Sequence, residues 1–244
     1  MKTLRKALAI LDAFAATSQP LSVAEVAVRA GVTRPTAHRL VQTLVAEGYL
    51  SQDPRDGRLS PGFSVLKLAG RLLDTNRVRL ESISHLENMA RTSGERANLG
   101  ILHGREMLYL AGAEKPSLPM IYTRFGQTTP AHCSAVGKAM LAYLPERELQ
   151  GFLVKDLLVA RTESSLTDPE TLRTELSTVR QSGFAIDREE LAVGTFGVAS
   201  PIFTGGRPVA AIGLAGRAIE PLLKQREMVL HTAEVISHVL SRGA

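Results

Sequence analysis

A chain of 244 residues is long enough for one large domain or two modest ones, and 44% hydrophobic against 22% charged residues describes a globular protein with a sizeable core. No window approaches an uninterrupted apolar run of membrane-spanning length, and a single cysteine excludes an intrachain disulfide framework and fits a reducing cytoplasm. A net charge of +5 favours an acidic partner without naming one.

The first segment, MKTLRKALAILDAF, is basic and amphipathic. Asp12 breaks the apolar run that a signal peptide needs, and Leu4, Ala7, Leu8 and Leu11 share one helical face, which predicts a first helix turned inward on that face. Ser22 to Leu50 then reads as two short helices joined by a tight turn. Ser22 and Glu25 make a capping box, and Gly31 supplies the left-handed residue that ends the first helix. Thr33 is the expected N-cap of the second, with Pro35 in its first turn and Gly48 at its close. Ala37, Leu40, Val41 and Leu44 form an inward stripe. Thr33, Arg34, Pro35, Thr36, His38 and Arg39 occupy the start and the other faces, where a helix-turn-helix reads base edges and phosphates. An ordinary helical hairpin with a solvated basic face has the same spacing. The neighbouring segment favours DNA: residues 49–52 and 58–60 read as a small hairpin around Asp53-Pro54-Arg55-Asp56-Gly57. Arg55 and Arg58 on this wing are placed for the phosphate backbone.

Residues 63–74 and 79–92 read as helices, the second with Leu80, Ile83, Leu86, Met89 and Ala90 at helical steps. The period then changes to that of strands at 98–102 and 107–111, around a turn at His103-Gly104-Arg105, with a third at 119–125. A helix is expected over 134–143 and another from Thr167 to Gly183. A strand is expected at 184–187, a hairpin at 198–203 and 209–214, and a closing helix over 221–240 with Leu222, Val229, Ala233, Ile236 and Leu240 inward. Hairpin-joined strands between helices indicate an α+β domain with an antiparallel sheet. Regular βαβ alternation is absent.

Cys133 beside His132 invites a catalytic, redox or metal reading. The remaining histidines do not gather at ligand spacing, so no metal is expected; no cofactor motif or nucleophile–base pair argues for an enzyme. A redox or metal sensor acting through Cys133 stays open beside a ligand-responsive regulator, and an enzyme with a DNA-binding appendage is a more distant alternative.

The chain resembles the IclR family of bacterial transcription regulators over nearly its full length. The resemblance rests on Leu21-Ser22 through Ala30-Gly31, Thr36-Ala37-His38-Arg39-Leu40 and Glu47-Gly48-Tyr49. It rests more specifically on Pro130 through Ala139 (PAHCSAVGKA), Gly183 through Glu190 (GFAIDREE), Gly194 and Ala199-Ser200-Pro201. It implies a winged helix-turn-helix domain over 1–62, a linker helix over 63–77 and a GAF-like effector-binding and oligomerisation domain over 78–244. It also implies a cytoplasmic dimer or tetramer, a palindromic double-stranded operator and a small organic-acid effector. The pocket it implies is built from Ile121, Cys133, Ser134, Ala135, Val136, Asp187, Thr195, Gly197, Gly213 and Ala215, with free N–H groups at the helix start near Ser134 receiving a carboxylate. Gly197 stands where many relatives have cysteine, and Gly213 and Ala215 where some have serine, so the pocket is expected to be roomier and less polar, suiting a larger, partly apolar acid such as an aromatic one.

Overall fold

The Ser22-x-x-Glu25 signal is a formed capping box: the Ser22 N–H donates to Glu25 Oε2 at 2.7 Å and the Glu25 N–H donates to Ser22 Oγ at 3.2 Å. Such a cap contributes about 1 kcal/mol and starts α2, Val23–Arg29, at a defined residue. The computed structural model describes residues 2–15, 17–114 and 125–242. It resolves two units, Met1–Thr75 and Asn76–Ala244.

In the first unit α1, Lys2–Ala15, and α2 pack against α3, Arg34–Ala46, around Ile10, Phe14, Val26, Leu40, Val41, Leu50 and Leu59. The inward face of α1 is not the expected one. Leu4 and Leu8 are exposed at 62% and 51%, whereas Ile10, Ala13 and Phe14 are buried. The leucine periodicity marks an apolar stripe, but the core takes the stripe beside it, which carries the larger Phe14. At the end of α3, Gly48 is left-handed (φ 71), its N–H donates to the Val45 carbonyl, and the Tyr49 N–H reaches back to Leu44 O at 2.8 Å. The wing comes next: β1, Leu50–Gln52, pairs antiparallel with β2, Leu59–Pro61. Gly62 then passes so close to Gly48 that a Cβ on it would lie 2.2 Å from the Gly48 carbonyl oxygen. Ser64 seals the contact, its N–H on Gly48 O and its hydroxyl on Glu47 O, both at 3.0 Å. From there α4, Phe63–Thr75, runs with no buried residue and leaves Phe63, Leu66, Leu68 and Leu72 exposed.

The second unit begins with α5, Arg77–Ser93, capped by Asn76 and closed by left-handed Gly94. Its Leu80, expected inward, is 48% exposed; Ser82, Leu86, Met89 and Ala90 are buried instead. The sheet comprises β3, Arg96–His103; β4, Glu106–Ala113; β5, Thr128–Pro130; β6, Ala185–Arg188; β7, Phe196–Thr204; and β8, Arg207–Gly216. Its order is β5-β4-β3-β8-β7-β6 and every pairing is antiparallel. The strand expected at 119–125 lies outside the described residues except for Phe125, which sits in a turn; β5 was not anticipated. The closing helix is two, α9, Ile219–Leu223, and α10, Arg226–Ser241, with all five expected inward residues buried.

Strand alternation splits this sheet into unlike faces. Leu99, Val198, Ile202, Ile212 and Leu214 meet Leu86 and Met89 of α5 and Val229, Ala233 and Ile236 of α10 in one aliphatic core. The opposite face carries Ala185, Ala199 and Ala211 under α6, Ala135–Leu141, and α8, Pro169–Ser182, with the short α7, Glu146–Leu149, between those two helices in the chain. Small residues there let α6 approach the strands closely.

Candidate nucleic-acid interface and ligand cavity

Thr33, Arg34, Pro35, His38 and Arg39 of the α3 start are exposed and Thr36 is half-buried. Thr33 has N-cap backbone geometry, but its hydroxyl donates to Thr36 Oγ1 at 2.9 Å and caps no backbone N–H. The first-turn donors of α3 thus carry no side-chain cap, the condition under which a helix start receives a phosphate. Arg55 is exposed on the wing turn, where the Asp53 carboxylate accepts its N–H at 2.8 Å and fixes the turn. Arg58 is engaged within the unit: Nη1 donates to Pro20 O at 2.8 Å and lies 3.5 Å from Glu25 Oε2. Hydrogen bonds from the Ser22 backbone and hydroxyl hold the Glu25 carboxyl below its usual range, so it stays charged against Arg58. Arg58 therefore braces the wing to α2, and only the rest of its guanidinium faces outward. Residues 1–75 carry ten lysines and arginines against six acids, so most of the net +5 sits in this unit.

In the second unit a cavity of about 210 Å³ opens between α6 and the sheet. Ser134, Ala135, Val136, Asp187, Thr195, Gly197, Gly213 and Ala215 line it. Of the two remaining expected residues, Ile121 lies outside the described residues, and Cys133 is buried behind the wall with its thiol 4.0 Å from Val159 O. The α6 start is less available than its sequence implied. This helix has seven residues, and Ser134 Oγ already accepts the Gly137 N–H at 3.2 Å.

The register explains the floor. Asp187 pairs with Gly197, Gly197 with Ala215, and Ala215 with Arg96, so one row crosses four strands with an acid at one end and a guanidinium at the other. Between them lie a hydrogen and a methyl group. At Gly197 a Cβ would stand in van der Waals contact, 3.4 Å from the Cβ atoms of Ala135 and Asp187, so the missing side chain leaves the cavity larger by little more than its own volume. Gly213 does not enlarge it. A Cβ on it would meet the Val198 carbonyl oxygen at 2.1 Å, so this glycine lets β7 and β8 close together and adds no room. The enlarged-pocket expectation therefore rests on Gly197 and Ala215.

Burial lifts the Asp187 carboxyl to about 7; the Glu190 N–H, donated to Asp187 Oδ1 at 2.7 Å, works against that rise, and the Glu190 charge adds to it. Beneath the cavity Lys138 is fully buried, its Nζ 2.6 Å from Glu190 Oε1 and 3.1 Å from Glu175 Oε1. Burial pushes Glu190 up in turn, against the pull of Lys138. The loop beyond β6 is held on several sides: Gly194 N–H donates to Glu189 Oε1 at 2.6 Å, and Thr162 and Ser165 hydroxyls donate to the Glu189 and Glu190 carbonyls. It sets Leu191 and Thr195 on the cavity wall.

Residues 71–238 match the family described as bacterial transcriptional regulator IclR C-terminal, and residues 3–54 match the IclR helix-turn-helix domain. The chain belongs to the IclR family. It is 30% identical over 216 residues to the HTH-type transcriptional regulator XynR of Escherichia coli K12, spanning 88% of this chain and 86% of that one. The crystal structure of an IclR transcriptional regulator from Alicyclobacillus acidocaldarius superposes with a TM-score of 0.86 at 27% identity, covering 98% of each chain. An IclR homolog from Microbacterium hydrocarbonoxydans, complexed with 4-hydroxybenzoate, shares the fold with a TM-score of 0.85 at 24% identity over 99% of this chain and all of that one.

For this IclR-family regulator, the motifs pointed to the small residues of the cavity and passed over its polar wall: Arg96, Asn98, Tyr109, Gln127 and Thr129. The available signal was alternation. Arg96 and Asn98 flank buried Ala97 and Leu99, the pattern of a strand with one polar face, but the strand was expected to start only at Asn98. Cys133 is poorly suited to redox or metal work. Its thiol is buried and burial pushes its pKa up, which disfavours the reactive thiolate. Its neighbour His132 is tied by Nε2–H to Val159 O at 3.2 Å, with burial holding its pKa down. Among the described residues no three His, Cys, Asp or Glu side chains gather to hold a metal ion, and no helix is long and apolar enough to cross a membrane.

Proposed function

We propose that this regulator binds a palindromic operator through the α3 face and the wing, and that a small organic acid in the cavity beside α6 controls that binding. The observation carrying the proposal is the cavity itself, a built space under a ligand-sized roof in the half of the chain that holds no DNA-binding element. Its volume argues for a compact ligand. An apolar cavity of about 150 Å³ accommodates benzene, so about 210 Å³ accommodates one ring with polar substituents. A protein of the same fold complexed with 4-hydroxybenzoate is in keeping with a ring-sized acid, although that likeness is one of fold. The exposed apolar side of α4, with Phe63, Leu66, Leu68 and Leu72 in solvent, supports assembly with a second copy, which two half-sites of a palindrome require. A cytoplasmic location follows from a DNA partner and a lone reduced thiol.

The test is fluorescence anisotropy with the DNA upstream of the protein's own gene, repeated across a salt series and a panel of carboxylic acids. Arg34→Ala with Arg39→Ala is expected to weaken binding and to lower the salt slope by about two, one for each lost phosphate contact. An unchanged slope removes α3 from the interface. Binding that no acid alters removes effector control.

A further inference from the structure

The cavity is two-ended. The row Asp187, Gly197, Ala215, Arg96 crosses β6, β7, β8 and β3. With strands about 4.8 Å apart, its ends lie about 14 Å apart along the floor, and the Arg96 and Asp187 side chains both line the cavity. The middle of the row carries nothing larger than a methyl group, and Ala135 and Val136 of α6 cover it with apolar atoms. Over Gly197 the Ala135 methyl closes down, 3.4 Å from where a Cβ would stand, while the cavity as a whole has the volume for one ring.

At the Arg96 end, Glu114 takes one edge of the guanidinium. Nε stands 2.9 Å from Glu114 Oε1, off the N–H direction, so the contact is an ion pair and not a hydrogen bond. Among the described residues nothing accepts a hydrogen bond from Nη1 or Nη2, and Arg96 lines the cavity. The fork that binds a carboxylate is thus still available. Asn98, Gln127 and Thr129 add uncharged hydrogen-bonding groups to this wall. At the other end the Asp187 side chain is 4% exposed, with Oδ1 held by the Glu190 N–H. A carboxyl so placed makes a hydrogen bond with a hydroxyl in either protonation state, accepting when ionised and donating when neutral.

We infer that the effector is a hydroxylated ring acid lying in this cavity between its two ends, its carboxylate on the Arg96 fork and its hydroxyl on Asp187. The inference rests on the cavity being the effector site. It adds two anchors that no small-residue motif carries, and it orients the acid with its charge towards β3 and its hydroxyl towards β6.

Calorimetric titration of the full-length protein tests it with three probes: 4-hydroxybenzoate, benzoate, which lacks the hydroxyl, and phenol, which lacks the carboxylate. The first is expected to bind at least about tenfold more tightly than either of the others, since each anchor is a hydrogen bond to a charged or buried group. In Arg96→Gln the affinity for 4-hydroxybenzoate falls to that for phenol, and phenol itself is unaffected. Equal affinities across the three probes in the unmodified protein overturn the inference with no variant needed. A wild-type-like affinity of Arg96→Gln for 4-hydroxybenzoate overturns it as well. Gly197→Leu separates the two levels of the argument. If it abolishes binding of a DNA-releasing acid such as pyruvate while the ring acids never bind, the cavity stands as the effector site and the two-ended ring is wrong. If a DNA-releasing acid binds Gly197→Leu as tightly as the unmodified protein, the cavity is not the effector site and both readings fall.

Discussion

The two faces of the β3–β8–β7–β6 sheet share every backbone hydrogen bond and differ in almost everything else. Towards α5 and α10 the strands offer Leu99, Val198, Ile202, Ile212 and Leu214, and the layer is filled with aliphatic side chains. Towards α6 they offer glycine, alanine, Asn98, Arg96 and Asp187, and the layer is held by close backbone approach and a buried lysine beside an open-sided cavity. One register dictates both, because each residue that faces the aliphatic layer fixes its two neighbours towards the cavity. The contrast teaches that a filled aliphatic layer and a cavity are separated here by a single residue step along a strand.

Substitutions on either side sharpen that separation. The largest expected loss, about 3–5 kcal/mol, comes from Lys138→Met, which leaves the Glu190 carboxylate buried without its cation. Ile202→Ala on the aliphatic face, a cavity-forming change, costs a comparable 2–5 kcal/mol, roughly, and leaves ligand affinity unchanged. Denaturant unfolding beside calorimetry measures both, and an Ile202→Ala protein that loses ligand binding while folded breaks the division between faces.

A pair of serine substitutions has a smaller effect. At Gly213 the new Cβ collides with the Val198 carbonyl and β7 must move, a cost of about 1–3 kcal/mol in unfolding free energy. At Gly197 the same side chain stands in ordinary contact with Ala135 and Asp187, so stability changes by less than about 1 kcal/mol and the cavity shrinks. Similar unfolding midpoints for the two variants would mean that Gly213 is not the tighter site.

A different effect is confined to pH. Asp187 ionises near 7 in the folded protein and near 3.8 unfolded, so its burial costs nothing while both states are protonated. The cost grows as pH rises between those values and is complete above about 7. Burial sets the upper limit, while Glu190 and Lys138, which face this carboxyl from the adjoining loop and from α6, respectively raise and lower it. Asp187→Asn removes the cost, and its melting temperature is expected to match the unmodified protein near pH 4 and exceed it near pH 8, by stabilisation on the order of 2 kcal/mol. A pH-independent difference would show that Asp187 does not carry the titration.

These elements differ in how far they could be read in advance. Ser22, Asp168 and the left-handed Gly31, Gly94 and Gly183 mark helix ends through local hydrogen bonding and local φ, so the helices were readable within a few residues. The inward residues of α10 followed from period alone. The α1 face did not, because two apolar stripes compete there and only packing chooses between them. The cavity was readable where motif residues such as Ala135 and Asp187 carry it. Its Arg96 end was not, since a guanidinium in β3 meets an acid in β6 only through strand pairings made far along the chain. The roles of Gly197 and Gly213 likewise depend on what stands opposite each Cα.

Gly62 against Gly48 has a mechanical consequence. Backbone touches backbone there, with Ser64 bonded to both Glu47 and Gly48, so the last turn of α3 and the first turn of α4 are welded with no side chain to act as a cushion. Thirteen residues of α4 make a rod about 20 Å long fixed at that weld. A swing at the free end of the rod arrives at α3 as a tilt of the same angle, because no compliant side chain stands between the two helices to absorb it.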